Sequence, residues 1–301
     1  MSLTFGVILL QERPVRDIVE WAKRFDEAGA DCLWVADHMA LPQEPSSPWY
    51  AGWDLLAALA VATSRCHLGP LVTSFQLHSP LAMARHVTTV NALSNGRLEF
   101  GVGAGGAPID RASEGVFDET VAELMTRFET GLAATIALLR GEALTLPAIP
   151  ALYGRPTDVD SITLSPDVLT HPLPPVVVGG QGPSTIEVAA RHANRWNTYG
   201  AARGPNDVFE SLRRNSQLLD ERCEAYGRRP NDVGRSVLLD FNPQLSTVDR
   251  SSLSDLVERL YAMGFEEIIA YAWAGGHLER SPEDLLAFVA EDLPALRARL
   301  A

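Results

Sequence analysis

The chain alternates between two hydrophobic rhythms. Short, near-continuous apolar runs fall at Leu3–Leu9, Cys32–Ala36, His67–Thr73, Leu98–Val102, Pro175–Val178, Arg195–Tyr199, Val233–Asp240 and Glu267–Tyr271. Such runs suit parallel strands buried on both faces, because a strand with one wet face would alternate. Between them lie stretches with helical spacing. Val15, Ile18, Ala22 and Phe25 share one helical face, after Pro14 and before Gly29. Ser79-Pro80 predicts a capped helix start and Asn95-Gly96 its stop. Ser281-Pro282 with Asp284 reads as a capping box. Eight strand–helix units in this order predict an α/β fold, a closed (β/α)8 TIM barrel in one domain over residues 1–301. An open doubly wound sheet usually has fewer units.

The rhythm breaks once. From about 141 to 174 there are many prolines and no helical pattern, with a β-like patch at Ser161-Ile-Thr-Leu164. A long irregular segment in a compact domain is usually a lid or a disordered excursion. This insertion precedes the fifth predicted strand, on the N-terminal side of the barrel. Folding over a pocket and serving a contact between subunits are both open to it.

Composition narrows the partners. Hydrophobic residues make up 46% of 301, enough for a sizeable core. A net charge of −13 argues against nucleic acid or an anionic membrane as the main partner. No apolar run is long enough to span a bilayer. The chain enters its first strand at Leu3 without a charged leader, so the expected location is the cytoplasm. Cys32, Cys66 and Cys223 are odd in number and widely spaced, which suits a reducing compartment and excludes a Cys-rich zinc site, and Cys32 and Cys66 fall in strand-like runs that suit buried, inert thiols. The seven histidines show no HxH or HExxH spacing, so no metal is expected. Lys23 is the only lysine, and the excess of arginine reads as the codon bias of a GC-rich bacterial genome.

In such a barrel, polar residues just after a strand point into the site. Asp37-His38 follow the second run, an acid and an imidazole suited to binding a cofactor's polar edge or moving a proton near neutral pH. The pair reads equally as a turn cap and a solvated loop residue. After the third run, Thr73 and Ser74 offer hydroxyls to a ligand, while His78 fits a solvent-facing position. After the fourth, Gly101-Val-Gly103-Ala104-Gly105-Gly106 lets backbone approach a flat ring closely. As a dinucleotide fingerprint it is weak, because no helix is expected to start at once.

After the fifth run, Gly179-Gly180-Gln181-Gly182-Pro183-Ser184 leads directly into a helix. Amides at a helix N-terminus make an anion site, although an ordinary tight turn has the same sequence. Trp196, Tyr271 and Trp273 stand at the sixth and eighth runs, placed either to wall a planar ligand or to fill the core. A serine hydrolase is excluded by the absence of a GxSxG elbow.

Taken together, four stretches resemble the luciferase-like superfamily of flavin- and F420-dependent oxidoreductases. They are Ala28–His38, His67–Thr73, Leu93–Gly105, and Pro174–Pro183 continued by Ala189–Asn197, so the likeness covers roughly residues 3 to 200. The resemblance implies a hydride-transfer site with an isoalloxazine or deazaflavin ring across the strand ends. By the family pattern Asp37 contacts the ring system and His38 is the general acid/base. Leu71 and Val72 lie where relatives carry a non-prolyl cis peptide, and Gly180 to Pro183 hold the cofactor phosphate. One departure is clear. The sugar-phosphate dehydrogenase branch has a glutamate where this chain has Gly106, and its phosphate-binding lysines have no counterpart. That branch's substrate is not carried over.

The leading expectation is therefore a coenzyme F420-dependent oxidoreductase acting on a small organic substrate. The first alternative is an FMN-dependent two-component monooxygenase fed by a separate reductase. The second is a flavin-binding barrel without turnover. A homodimer is expected by analogy with such families.

Overall fold

The computed structural model describes residues 2–41, 44–113, 115, 119–145, 161–165, 171–200, 207–274 and 278–300. Its strands are β1 (Thr4–Ile8), β2 (Cys32–Asp37), β3 (His67–Ser74), β4 (Phe100–Gly103), β5 (Leu144–Thr145), β6 (Ser161–Ile162), β7 (Val176–Gly179), β8 (Arg195–Thr198), β9 (Gly234–Leu238) and β10 (Glu267–Tyr271). Eight of these form a closed barrel in the order β1-β10-β9-β8-β7-β4-β3-β2, and every pairing between them is parallel. The predicted (β/α)8 barrel is the observed fold. Each barrel strand falls within two residues of the ends that the apolar runs predict.

The connecting helices are α1 (Val15–Ala28), α2 (Gly52–Ala62), α3 (Pro80–Leu93), α4 (Pro108–Ser113), α5 (Val121–Leu139), α6 (Pro183–His192), α7 (Val208–Ala225), α8 (Arg250–Ala262), α9 (Pro282–Ala287) and α10 (Leu293–Leu300). Their ends follow local chemistry. Ser79 accepts the Ala82 amide at the start of α3, and Ser281 and Asp284 form a reciprocal capping box at α9. Each such cap is worth about 1 kcal/mol. Gly29 closes α1 in the left-handed region at φ 99°, where a Cβ would be strained.

β5 and β6 stand outside the barrel as an antiparallel pair in the insertion, and β6 coincides with the predicted patch at Ser161. Residues 146–160 and 166–170 of that insertion lie outside the described residues. The three cysteines are buried and unbridged. Burial, with Asp26 beside it, pushes the Cys66 thiol up to about 12, so it stays protonated and inert.

The barrel interior is closed by one large side chain. The Trp34 indole is fully buried, and a Cβ at Gly6, Gly69 or Gly101 would come within 2.7, 2.9 or 3.6 Å of it. At Gly6 the ring itself excludes a side chain, whereas at Gly69 and Gly101 the nearest obstacles are the backbone oxygens of Glu99 and Pro70. Burying so large an aromatic stabilises the fold by roughly 3 kcal/mol. Trp34 also donates its Nε1–H to Glu267 Oε1 at 3.2 Å. In a barrel filled in this way, the functional residues are sought at the C-terminal ends of the strands.

Candidate active site

The register of the strands brings the predicted residues to one level. Asp37 pairs with Thr73, after a register shift in which β3 spends one residue more between Pro70 and Thr73 than β2 does between Val35 and Asp37. Ser74 pairs with Gly103 and Gly179 with Asn197. The Leu71–Val72 peptide is cis, as the resemblance implies. Val72 turns into the mouth: a Cβ at Gly103 would meet Val72 Cγ2 at 2.7 Å, and one at Gly179 would meet Cγ1 at 2.8 Å. Val72 thus sits between two strand ends that lack side chains, forming an apolar floor flanked by bare backbone.

His38 directly follows Asp37 at the end of β2, with about a quarter of its side chain exposed. Its Nδ1 lies 2.7 Å from Asp110 Oδ2. The other carboxylate oxygen, Oδ1, accepts the Met39 amide at 2.9 Å, and Trp49 donates its indole N–H to the His38 carbonyl at 2.9 Å. Asp110 is buried to 0% exposure. Burial alone would raise its carboxyl, but the bonds from His38 and Met39 outweigh that and hold it below its ordinary value. Asp110 is thus an ionised acceptor with both oxygens engaged.

Sequence reasoning missed Asp110. It rides on α4, a six-residue helix that begins at Pro108, two residues after Gly106 and not directly on the glycine run. A six-residue helix is too short to show a hydrophobic period. The only sequence signal is Pro108 with an acid two residues on.

Asp37 is buried, and its Oδ2 lies 2.9 Å from His78 Nε2. His78 is thus an inward partner and not the solvent-facing residue expected. Its ring meets His86 edge-on at 5.6 Å between centroids, and His86 stacks on Trp53 at 5.5 Å. Burial first, then neighbouring His78, holds His86 below its ordinary value.

Two predicted contacts are revised. Thr73 is fully buried, and its hydroxyl accepts Trp53 Nε1–H at 3.1 Å, so its side chain faces the helix layer and not the mouth. Trp196 is equally buried and donates its Nε1–H to the Gly180 carbonyl at 2.9 Å. It pins the turn from behind and walls no ligand. Trp273 is also a core residue, donating to Leu10 O at 3.0 Å.

The turn after β7 keeps its predicted form. Gly182 is the N-cap of α6 without a side-chain hydrogen bond, and Pro183 holds the first helical position. A Cβ on Gly182 would meet nothing within 4 Å, whereas one on Gly180 would meet Thr185 Oγ1 at 2.2 Å. The Gly180 amide is spent on Asn197 O at 3.1 Å. The Gln181 side chain turns inward, accepting Thr198 Oγ1–H and the Tyr199 amide. An anion here would be met by the first-turn amides of α6 and its dipole. Across the mouth, Ala104 is half-buried and Gly105 adopts φ 78°, with Gln76 pressed against it. Gln76 is buried, and neither atom of its amide has a hydrogen bond among the described residues. An unpaired buried amide costs roughly 1–3 kcal/mol, so it fits the polar edge of a ligand.

A family model, the luciferase-like monooxygenase, matches residues 2–243. An F420-dependent glucose-6-phosphate dehydrogenase of Amycolatopsis mediterranei is 40% identical over 96 residues, 31% of this chain and 28% of that protein. The chain thus spans under a third of that relative's length in the match. A 5,10-methylenetetrahydromethanopterin reductase of Methanolobus tindarius is 26% identical over 270 residues, 89% of this chain and 74% of that protein. Among solved structures, an F420-dependent secondary alcohol dehydrogenase in complex with an F420-acetone adduct superposes with a TM-score of 0.76 at 16% identity, covering 98% of this chain and 99% of that one. A monooxygenase from Streptomyces bottropensis does so at 0.74 and 17%, covering 99% and 100%. At these identities the likeness is one of fold. With the family model covering most of the chain, the protein belongs to the luciferase-like monooxygenase family and is an oxidoreductase of that type.

Proposed function

We propose that the protein transfers hydride between coenzyme F420 and a small organic substrate. The observation that carries this reading is His38, which directly follows Asp37 at the end of β2 and is held through Nδ1 by Asp110, with no hydrogen bond to Nε2 among the described residues. Two relatives in sequence, the F420-dependent dehydrogenase of Amycolatopsis and the reductase of Methanolobus, support this reading.

The residues fit a planar ring with a phosphate tail. Val72 and the bare strand ends at Gly103 and Gly179 would support the ring's face. The Gln76 amide and Asp37 would meet its polar edge, and the α6 N-terminus would meet the phosphate. Bound there, the deazaflavin supplies a ring carbon that accepts or gives hydride. His38 Nε2 takes the hydroxyl proton when an alcohol is oxidised and returns it when a carbonyl is reduced. Asp37, held by His78, fixes the edge of the ring relative to His38.

Fluorescence titration with F420 and with FMN tests the cofactor. Tight FMN binding with no affinity for F420 would replace this reading with the two-component monooxygenase, whose support is the shared fold of the Streptomyces enzyme. His38→Ala tests the role of the imidazole. A variant that keeps the full rate removes His38 from the chemistry.

A further inference from the structure

We infer that Asp110 is a positioning residue that fixes which nitrogen of His38 carries the proton, leaving Nε2 as the working atom. This rests on the reading of His38 as the proton-transfer group. Asp110 Oδ2 lies 2.7 Å from Nδ1, and its other oxygen is committed to the Met39 amide, which can only donate. A carboxylate so held accepts from both neighbours, so Nδ1 carries hydrogen and Nε2 presents a lone pair to the mouth.

Packing does not explain this carboxylate. Its side chain is fully buried, and burying a charge costs several kcal/mol before its partners offset it. An apolar residue would fill the same space more cheaply. α4 is also braced where it carries Asp110. The Ala107 carbonyl accepts the Asp110 amide at 3.1 Å, Ser113 donates to the Asp110 carbonyl at 2.7 Å, and Arg111 donates to Glu119 O at 3.0 Å. These contacts fix the backbone behind the carboxylate, whose oxygens take His38 and Met39, with the Ser74 hydroxyl as a further donor.

The same geometry gives the variant that separates a tautomer-setting role from a strut. In Asp110→Asn the amide oxygen must stay on the Met39 N–H, because that neighbour only donates. The amide NH2 then faces Nδ1 and makes it an acceptor, so the proton moves to Nε2. The strut survives and the tautomer inverts.

The test is 15N spectroscopy of histidine-labelled protein at alkaline pH, with the His38 signals assigned by their loss in His38→Ala. The wild type is expected to show Nδ1 as the protonated nitrogen by at least ~10-fold, the preference that a charge-assisted bond sustains. Asp110→Asn is expected to exchange the two assignments, and Asp110→Glu to restore them. A wild type with the proton on Nε2 overturns the inference by itself, even if the asparagine variant does not fold. Unchanged ring signals in a folded Asp110→Asn overturn it equally. F420 titration of the same samples keeps the two readings apart: failure to bind F420 removes the cofactor reading while the ring signals still judge Asp110.

Discussion

Asp37 Oδ2 and His78 Nε2 stand 2.9 Å apart and join the end of β2 to the loop entering α3. The imidazole is braced in turn by His86 and Trp53. Asp37 is thus aimed by a column of rings from the helix layer, not by its own loop. Replacing His78 by Leu leaves a buried carboxylate without its donor, at about 1–3 kcal/mol. We expect lower stability in urea and F420 binding weaker by roughly 10-fold. A variant with unchanged affinity would make the pair incidental to the cofactor.

Val72 and Gly103 make a second constraint that is steric. A methyl at position 103 would lie 2.7 Å from Val72 Cγ2, inside van der Waals contact, so Gly103→Ala must displace Val72. Overpacking of this kind costs about 1–3 kcal/mol, expressed as loss of F420 affinity. Adding Val72→Ala removes the clash, so the double variant should bind more tightly than Gly103→Ala alone. If the second change deepens the loss, Val72 itself is the needed surface. Calorimetric titration separates the two outcomes.

The barrel was legible because parallel strands are continuous apolar runs and helix caps are local chemistry. Leu3–Leu9 or Glu267–Tyr271 needs no distant partner to be read as a strand. The site was only half legible. Asp37, His38 and the Gly179–Ser184 turn are strand-end residues and announce themselves by position. Asp110 meets His38 across 72 residues of sequence, and no pattern in either segment encodes that meeting. Thr73 and Trp196 were assigned to the mouth because strand ends were read without side-chain direction. The extra residue of β3 between Pro70 and Thr73 and the Trp53 and Gly180 partners decide which way those side chains turn.

The foot of the barrel makes a pH prediction. Arg195 Nη1 is 2.6 Å from Glu99 Oε2 and 3.2 Å from Glu267 Oε2, so two buried carboxylates share one guanidinium. Burial would raise Glu99, but hydrogen bonds from His67 and Arg195 hold it below its ordinary value. Glu267 is left the worse partnered, and burial raises it to about 7 from 4.5. Folded Glu267 therefore keeps a proton that the unfolded chain has lost. Its contribution to stability is full below 4.5 and disappears as pH rises to about 7. Glu267→Gln keeps an acceptor for Trp34 and cannot titrate. Between these pH values the wild type should lose about 2 kcal/mol relative to the variant, measured by urea unfolding. Parallel pH curves for the two proteins would reject the shared-guanidinium account.

The phosphate turn allows a substitution whose two effects oppose. Gly182 caps α6 at φ −95° and ψ 160° with no side-chain hydrogen bond, and a Cβ there meets nothing within 4 Å. Asp suits that backbone and is a good N-cap, so Gly182→Asp should leave stability unchanged or raise it by a few tenths of a kcal/mol. Its carboxylate would occupy the helix-terminal amides that the cofactor phosphate needs, and would repel the phosphate as well. F420 affinity should fall by roughly 10-fold or more, and salt should soften the loss by screening the exposed charge. Gly182→Asn separates the two causes, since it caps the helix without the charge and should lose less affinity. A Gly182→Asp protein of normal Tm and undiminished F420 binding would put the phosphate elsewhere.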